Sequence, residues 1–336
     1  MTLKDIASMA GVSTATVSNV LNGNTSKVSE ETRIKIEKII RDVDYKPNAM
    51  ARSLAKNESR MLGLVVPYVG PFENFLMNPY YAQMIAALEQ YVREKDYYLM
   101  LRCVPSCEQV IPLLSSWRVD GAFFLGVVEK DVKNICEALR SPVVFLDTYS
   151  DAEDIVNVGL DDYRGGYLSA KYLIGKGHKN IAFVGPDYKE SRVISERYHG
   201  FLKACQEAGV PFTEKNYFLT DTVYEKAICV GQDVIASNQK FTAIAAMSDI
   251  VALGIMDGVR QYGYSVPGDI SIIGFDNLPA GNYVYPKLTT VSQDSEAKAL
   301  EAVNRMFAIL DGKDDFERDI HIPVKLVERQ SVADLG

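Results

Sequence analysis

The chain has 336 residues, 47% of them apolar, with 36 Lys and Arg against 44 Asp and Glu for a formal net charge of −8. That length exceeds one ordinary core and points to two or three domains. No apolar run approaches the ~20 residues of a membrane-spanning helix, and no basic-then-apolar leader opens the sequence, so a cytoplasmic protein is expected.

The first predicted element is a capped helix. Thr2 is placed to cap it and Asp5 to complete a reciprocal cap, while Leu3, Ile6, Ala7 and Ala10 fall on one face. Gly11 stands where a left-handed residue would end that helix. Ser13 can then cap a second helix running to about Leu21. Val17, Val20 and Leu21 form its inner face, and Thr14, Ala15, Ser18, Asn19 and Asn22 point outward. Two short helices and a tight turn, the second with a small, polar, uncharged outer face, describe a helix-turn-helix whose second helix enters a major groove. An ordinary helical hairpin with a solvated face fits the same loose pattern.

Ser29 is a cap for a third helix, with Glu30 and Glu31 at its positive end and Ile36, Ile39, Ile40 and Val43 closing a three-helix core. Pro47 stops it. Asn48 can cap a further helix from Ala49 to about Lys56, only some two turns long. Such a length is marginal in water, where roughly 12–15 residues are needed, so it is expected to order only against something else. Arg52, Lys56 and Arg60 surround Leu54, as in a minor-groove element that wedges an apolar side chain between base steps. The first 60 residues carry 10 Lys and Arg against 7 Asp and Glu, which leaves the remainder strongly acidic. A basic head on an acidic body fits DNA contact through the head alone.

From Met61 onward, short apolar runs alternate with amphipathic stretches. LGLVVPYV, YYLMLRC, DGAFFLG, VVFLD, NIAFVG, YFLTD, AIAAMSD and ISIIGFD read as strands. YYAQMIAALEQYVREK, GGYLSAKYLIGKG and RYHGFLKACQEAG read as helices between them. The pattern predicts an α/β body of parallel sheets covered on both faces, divided into two lobes by a break near Asp161. Such sheets bind ligands at the carboxyl ends of their strands. There the sequence places Asp147, Ser248, Asp249 and Asp276, with Arg192 and Arg197 opening the helix after NIAFVG. Carboxylates and arginines suit neighbouring sugar hydroxyls, and Tyr80 or Tyr81 can offer a ring face. Asp147 and Asp249 suit helix capping equally well, and one of the two tyrosines suits the core. Core packing gives no reason for a charge at Arg197 or Asp276.

An enzyme is the rival class. Neither GxGxxG after a strand nor GxxxxGK[ST] occurs. Ser195 and His199 share a helical face, but no GxSxG elbow surrounds the serine. No catalytic residue and no cofactor is expected. The five cysteines, Cys103, Cys107, Cys136, Cys205 and Cys229, lack CxxC spacing and a nearby histidine. Reduced, mostly buried thiols are expected, with no metal.

VSTATVSNVLNG, VSEETR and DYKPNAMARSLAKNESRMLGLVVP, with ISIIGFDN, LTTVSQD and LVERQS near the far end, resemble the lactose-repressor (LacI/GalR) family of bacterial transcription regulators. The resemblance covers nearly the whole chain. It implies an all-α helix-turn-helix domain over 1–46, a hinge helix and linker over 47–60, and an effector-binding and dimerisation body over 61–336. That body would be built like the type I periplasmic sugar-binding proteins. Lobe 1 would take about 61–160 plus 294–325 and lobe 2 about 161–293 plus 326–336, with crossings near Asp161, near Thr289 to Asp294, and in the LVERQS run. Thr14, Ala15, Thr16, Ser18 and Asn19 match the recognition-helix positions, Asn19 standing where relatives often carry arginine. Leu54 matches the hinge leucine that intercalates at the operator centre, with Ala51 and Arg52 beside it. Arg197 and Asp276 match effector contacts, and Tyr80 and Tyr81 match the aromatic pair after the family's Asn-Pro. Asp147, Ser248 and Asp249 match pocket positions, and Arg192 aligns with some slack.

The implied protein is a sugar-responsive repressor, a homodimer or tetramer on a pseudo-palindromic double-stranded operator, with a sugar or sugar phosphate as effector. Some members answer instead to a phosphocarrier protein. Here Gln293-Asp294 departs from the usual Gln-Pro of that region, which weakens the partner alternative. A transport binding protein would need the secretory leader and would not carry the head.

Overall fold

The computed structural model describes residues 1–21, 23–45, 58–67, 76, 78–104, 107–152, 154–189, 191–237 and 239–336. They fall into two compact units, Met1–Ser59 and Arg60–Gly336.

The head is built from helices Leu3–Ala10, Thr14–Leu21 and Glu30–Asp42. Thr2 and Asp5 form the reciprocal cap, and Gly11 ends the first helix at φ 73°. The Ser13 hydroxyl accepts from the Thr16 N–H at 3.1 Å, and Ser29 caps the third helix through the Thr32 N–H. Ile6, Ala7, Ala10, Val17 and Ile36 form the buried core, with Leu3, Val20, Leu21, Ile39 and Ile40 against it. Tyr45 joins that cluster where the sequence pattern offered Val43. Asn22 lies outside the described residues, as do Ala51, Arg52 and Leu54 with the whole stretch 46–57.

The body holds two six-stranded sheets. The first runs β11-β5-β4-β3-β1-β2, from β1 (Met61–Pro67), β2 (Tyr98–Val104), β3 (Gly121–Leu125), β4 (Val143–Leu146), β5 (Asn157–Leu160) and β11 (Asp319–Ile322). All its pairings are parallel. The second runs β12-β10-β9-β8-β6-β7, from β6 (Ile181–Gly185), β7 (Tyr217–Leu219), β8 (Ala243–Ala246), β9 (Ser271–Asp276), β10 (Thr289–Ser292) and β12 (Lys325–Val327). Here β12 alone runs antiparallel, against β10. We call the two halves lobe 1 and lobe 2. The chain passes between the sheets after Leu160, after Ser292, and between Ile322 and Lys325. The last passage falls just ahead of the LVERQS run, within which the resemblance had implied it.

Each sheet is covered on both faces, as its near-continuous apolar strands require. In lobe 1, Leu62, Leu64, Phe123 and Leu125 face helices Pro79–Glu94 and Ser295–Leu310. Val65, Ala122, Phe124 and Phe145 face the opposite layer, with Val132 and Ile135 of helix Glu129–Ala138. The strict alternation of Phe123 and Phe124 shows the period-2 pleat dividing one strand between two cores. Four strands escaped the sequence pattern: β5, β10, β11 and β12. They are three or four residues long, and β11 and β12 carry charged residues with most positions at least partly exposed.

In lobe 2, helices Asp162–Gly175 and Arg192–Glu207 cross at backbone distance. A Cβ at Gly166 would stand 1.8 Å from the Arg197 carbonyl oxygen, and one at Gly200 would stand 1.9 Å from that of Tyr163. Gly166→Ala therefore forces the two helices apart. It is expected to destabilise at or above the top of the ~1–3 kcal/mol range for overpacking, read as a lowered urea midpoint. An unchanged midpoint would contradict this crossing.

Cys205 is buried and Cys103 partly so, but Cys136 and Cys229 are exposed, so the expectation of mostly buried thiols is corrected. They lie on the solvent side of amphipathic helices, where a small side chain covers no core. No described helix is long and apolar enough to cross a membrane.

Candidate functional site

Two carboxylates at strand ends hold strained backbone. Asp147, just after β4, has φ 52°, and Asp276, closing β9, has φ 123°. Neither is a glycine, and such conformations persist only where the surroundings enforce them, commonly at functional sites.

Around them runs a continuous polar chain from lobe 1 to lobe 2. The Tyr80 hydroxyl, on helix Pro79–Glu94, donates to Asp147. The Lys298 ammonium lies 2.6 Å from Asp147 Oδ1 and donates to the Tyr80 hydroxyl at 3.2 Å and to Gln293 Oε1 at 3.1 Å. Gln293 Nε2 then donates to Asp276 Oδ1 at 2.5 Å. A second link joins the lobes through Tyr149, whose hydroxyl lies 2.9 Å from Asp162 Oδ2. The other Asp162 oxygen accepts from Arg197 Nε at 2.8 Å. Arg197 also donates to the Met247 carbonyl at 2.9 Å, and its guanidinium lies 3.7 Å from the centre of the Phe275 ring. At the rim, Arg192 pairs with Asp151 at 2.9 Å, with Glu129 at 4.0 Å. That pair is solvated and contributes little to stability.

The remaining candidates divide. Tyr81 packs against the lobe 1 core with its ring 5.5 Å from that of Tyr80, so the pair splits between site and core. Ser248 caps helix Asp249–Gln261 through the Val251 N–H. Asp249 accepts from the Thr290 hydroxyl at 2.6 Å and from the Leu278 N–H at 2.7 Å. Ser248 thus holds a helix start and Asp249 a loop within lobe 2, and the capping task left open for Asp249 falls to Ser248.

Electrostatics follow from burial. It pushes the Asp276 carboxyl up to about 6, against the pull of Arg197 and of the Gln293 amide. Burial also raises Asp162 despite Arg197, and raises Asp249 further with the help of the Asp276 charge.

On the head, Thr14 and Ala15 are exposed on the second helix and Thr16, Ser18 and Asn19 are half-buried. The Thr16 hydroxyl is shared with Ser13 at 2.9 Å, which leaves it a capping task as well as a face position.

Residues 2–48 match the family of bacterial regulatory proteins, lacI family, and residues 170–332 match the periplasmic binding protein-like domain. The HTH-type transcriptional repressor PurR of Erwinia tasmaniensis is 34% identical over 340 residues, which span 99% of this chain and 97% of that protein. The chain belongs to the LacI family of bacterial regulatory proteins. Among solved structures, the lac repressor dimer bound to operator and the anti-inducer ONPF superposes with a TM-score of 0.88 at 26% identity, covering 99% of each chain. A periplasmic binding protein/LacI transcriptional regulator from Alkaliphilus metalliredigens, complexed with D-xylulofuranose, gives 0.68 at 27%, covering 82% of this chain and 99% of that one. This LacI-family chain is thus a transcriptional repressor with a helix-turn-helix head and a ligand-binding body.

Sequence reasoning missed Tyr149, Asp162 and Lys298 in this regulator. Lys298 left one trace: it shares the buried stripe of its helix with Ser295, Ala302 and Met306, where a lysine is out of place. Gln293, noted only as part of a departure from family pattern, is buried in the polar chain and turned inward.

A pH dependence follows for the ligand-free protein. Asp276 has a folded pKa above its unfolded value of 3.8, so the folded state binds more protons between those values. Its stabilising contribution is complete below about pH 4 and is lost as pH rises through about 6. Asp276→Asn is expected to flatten that slope in thermal unfolding followed from pH 4 to 6.5. Identical slopes for the two proteins would contradict the assignment.

Proposed function

We propose that the region between the lobes binds a small polyhydroxylated effector, a sugar or sugar phosphate, and that its occupancy alters the grip of a homodimer on a pseudo-palindromic operator. The observation that carries this is the pair of strained carboxylates, Asp147 and Asp276, joined by a polar chain that crosses from one lobe to the other. Sugar hydroxyls can donate to such carboxylates and accept from Arg197, and the Tyr80 ring can lie against an apolar sugar face. The Alkaliphilus regulator holding D-xylulofuranose supports the sugar class.

Entry of hydroxyls beside Asp276 and Asp162 would compete with Gln293 and Tyr149, and so reset the angle between the lobes. The consequence for the head is a population shift: a ligand favouring one lobe arrangement favours one hinge spacing across the dimer. Thr14, Ala15, Thr16, Ser18, Asn19 and Asn22 would address base edges, and Ala51, Arg52 and Leu54 the minor groove. Tyr283 and Tyr285, each 84% exposed on lobe 2, offer aromatic surface of the kind that pairing between copies covers. Like other DNA-bound repressors, the protein would work in the cytoplasm.

The test is a thermal-shift panel of sugars, sugar phosphates and nucleobases on the full chain. A true effector at 100 times its dissociation constant should stabilise by roughly 2.7 kcal/mol. Stabilisation by nucleobases alone would contradict the sugar class.

A further inference from the structure

Lys298 has no exposed surface. An ammonium held so deeply is tolerated only when its charge is met at close range. Its three donors meet three acceptors: Asp147 Oδ1 at 2.6 Å, Gln293 Oε1 at 3.1 Å and the Tyr80 hydroxyl at 3.2 Å. None is left for a ligand.

The other cations of the site are also turned to partners, though Arg197 commits only Nε and Nη1. Arg197 is held by Asp162 and Arg192 by Asp151. Arg329, behind Asp249, is turned to the Leu288 carbonyl and to Asn277. Asp276, in contrast, is met by the Gln293 amide and the Asp249 N–H, with Arg197 and Lys298 acting on it only at longer range. The body residues outside the description, 68–75, 77, 105–106, 153, 190 and 238, include no lysine or arginine in the sequence.

We propose that Lys298 sets the charge class of the effector: committed to Asp147, it leaves a site that admits an uncharged, hydroxyl-bearing ligand and rejects one carrying phosphate or carboxylate. This rests on the effector-site reading above and narrows it. An anion entering here meets buried carboxylates at low effective dielectric, with the two buried cations, Lys298 and Arg197, each already set against a carboxylate, which costs it more than a neutral sugar. Neutral hydroxyls find Asp276 as a ready acceptor.

The test is calorimetric titration of the full chain with matched pairs: D-ribose and ribose 5-phosphate, D-glucose and glucose 6-phosphate, D-xylulose and xylulose 5-phosphate. The expected result is binding of a neutral sugar, with its phosphate at least 100-fold weaker. Phosphates binding as tightly or more tightly overturn the proposal and leave the effector site standing. No binding in either arm removes both.

Asp147→Asn strands the Lys298 charge and should raise affinity for the phosphates at least tenfold relative to their neutral partners. An unchanged ratio overturns the role of Lys298. The double variant Lys298→Gln with Asp147→Asn, which keeps hydrogen bonding and removes both charges, separates charge from folding. Read as the ratio of phosphate to neutral-sugar affinity, it should lose the gain seen in Asp147→Asn, and a ratio as high as in Asp147→Asn also counts against the proposal.

Discussion

Replacing Arg197 with alanine is expected to remove the response to effector and to destabilise the body by about 3–5 kcal/mol. The stability loss arises because Asp162, 1% exposed at its side chain, keeps its burial and loses the guanidinium 2.8 Å away. Two further contacts go with it, the bond to the Met247 carbonyl and the stacking on Phe275. Adding Asp162→Asn should recover part of the loss, since a neutral amide needs no counter-ion, and the double-mutant cycle then isolates the pair. Urea unfolding reads the stability and operator release reads the response. A loss under 1 kcal/mol would show that the buried Asp162 does not depend on Arg197, and release at the wild-type effector concentration would show that Arg197 is not an effector contact.

The second large effect is expected at Leu54, outside the described residues. The sequence there reads as a helix too short to be stable alone, so removing this apolar side chain should cost the free protein little and Leu54→Ala should leave thermal stability unchanged. On DNA its wedge would be lost, with the contacts that unstacking a base step makes possible. Operator affinity should fall tenfold or more, each factor of ten being about 1.4 kcal/mol. Non-specific binding, carried by phosphate contacts, should change much less. A variant that melts several degrees lower and binds operator normally would make Leu54 a packing residue.

The head was legible because its signals are local. Thr2 with Asp5, Gly11, Ser13 and Ser29 act within a turn of themselves, and the structure uses each as a cap or a stop. The central strands were legible because burial on both faces demands runs such as GAFFL and SIIGFD. The short crossing strands β5 and β11 gave no such run, because pairing partners 162 residues apart stabilise them.

The site was half legible for the same reason. Arg197 and Asp276 could be picked out because core packing gives no reason for a charge there, and Asp147 by its strand end, where helix capping was an equal reading. Their partners could not. Lys298 meets Asp147 across 151 residues of sequence, and Tyr149 meets Asp162 because the parallel strands β4 and β5 bring their ends side by side. Asp249 shows the converse: its strand-end position suggested a ligand contact, and the folded chain gives both its oxygens to Thr290 and Leu278.

The central claim couples the body to the head, and one titration tests it. Full-length protein is added to a fluorescent pseudo-palindromic operator, selected from random DNA, in the absence and presence of a saturating ligand from the thermal-shift panel. The account predicts two chains per operator, an affinity that falls steeply with salt, and a change of tenfold or more on adding the ligand. One chain bound to a non-palindromic site, or an affinity that a saturating body ligand leaves unmoved, would contradict it.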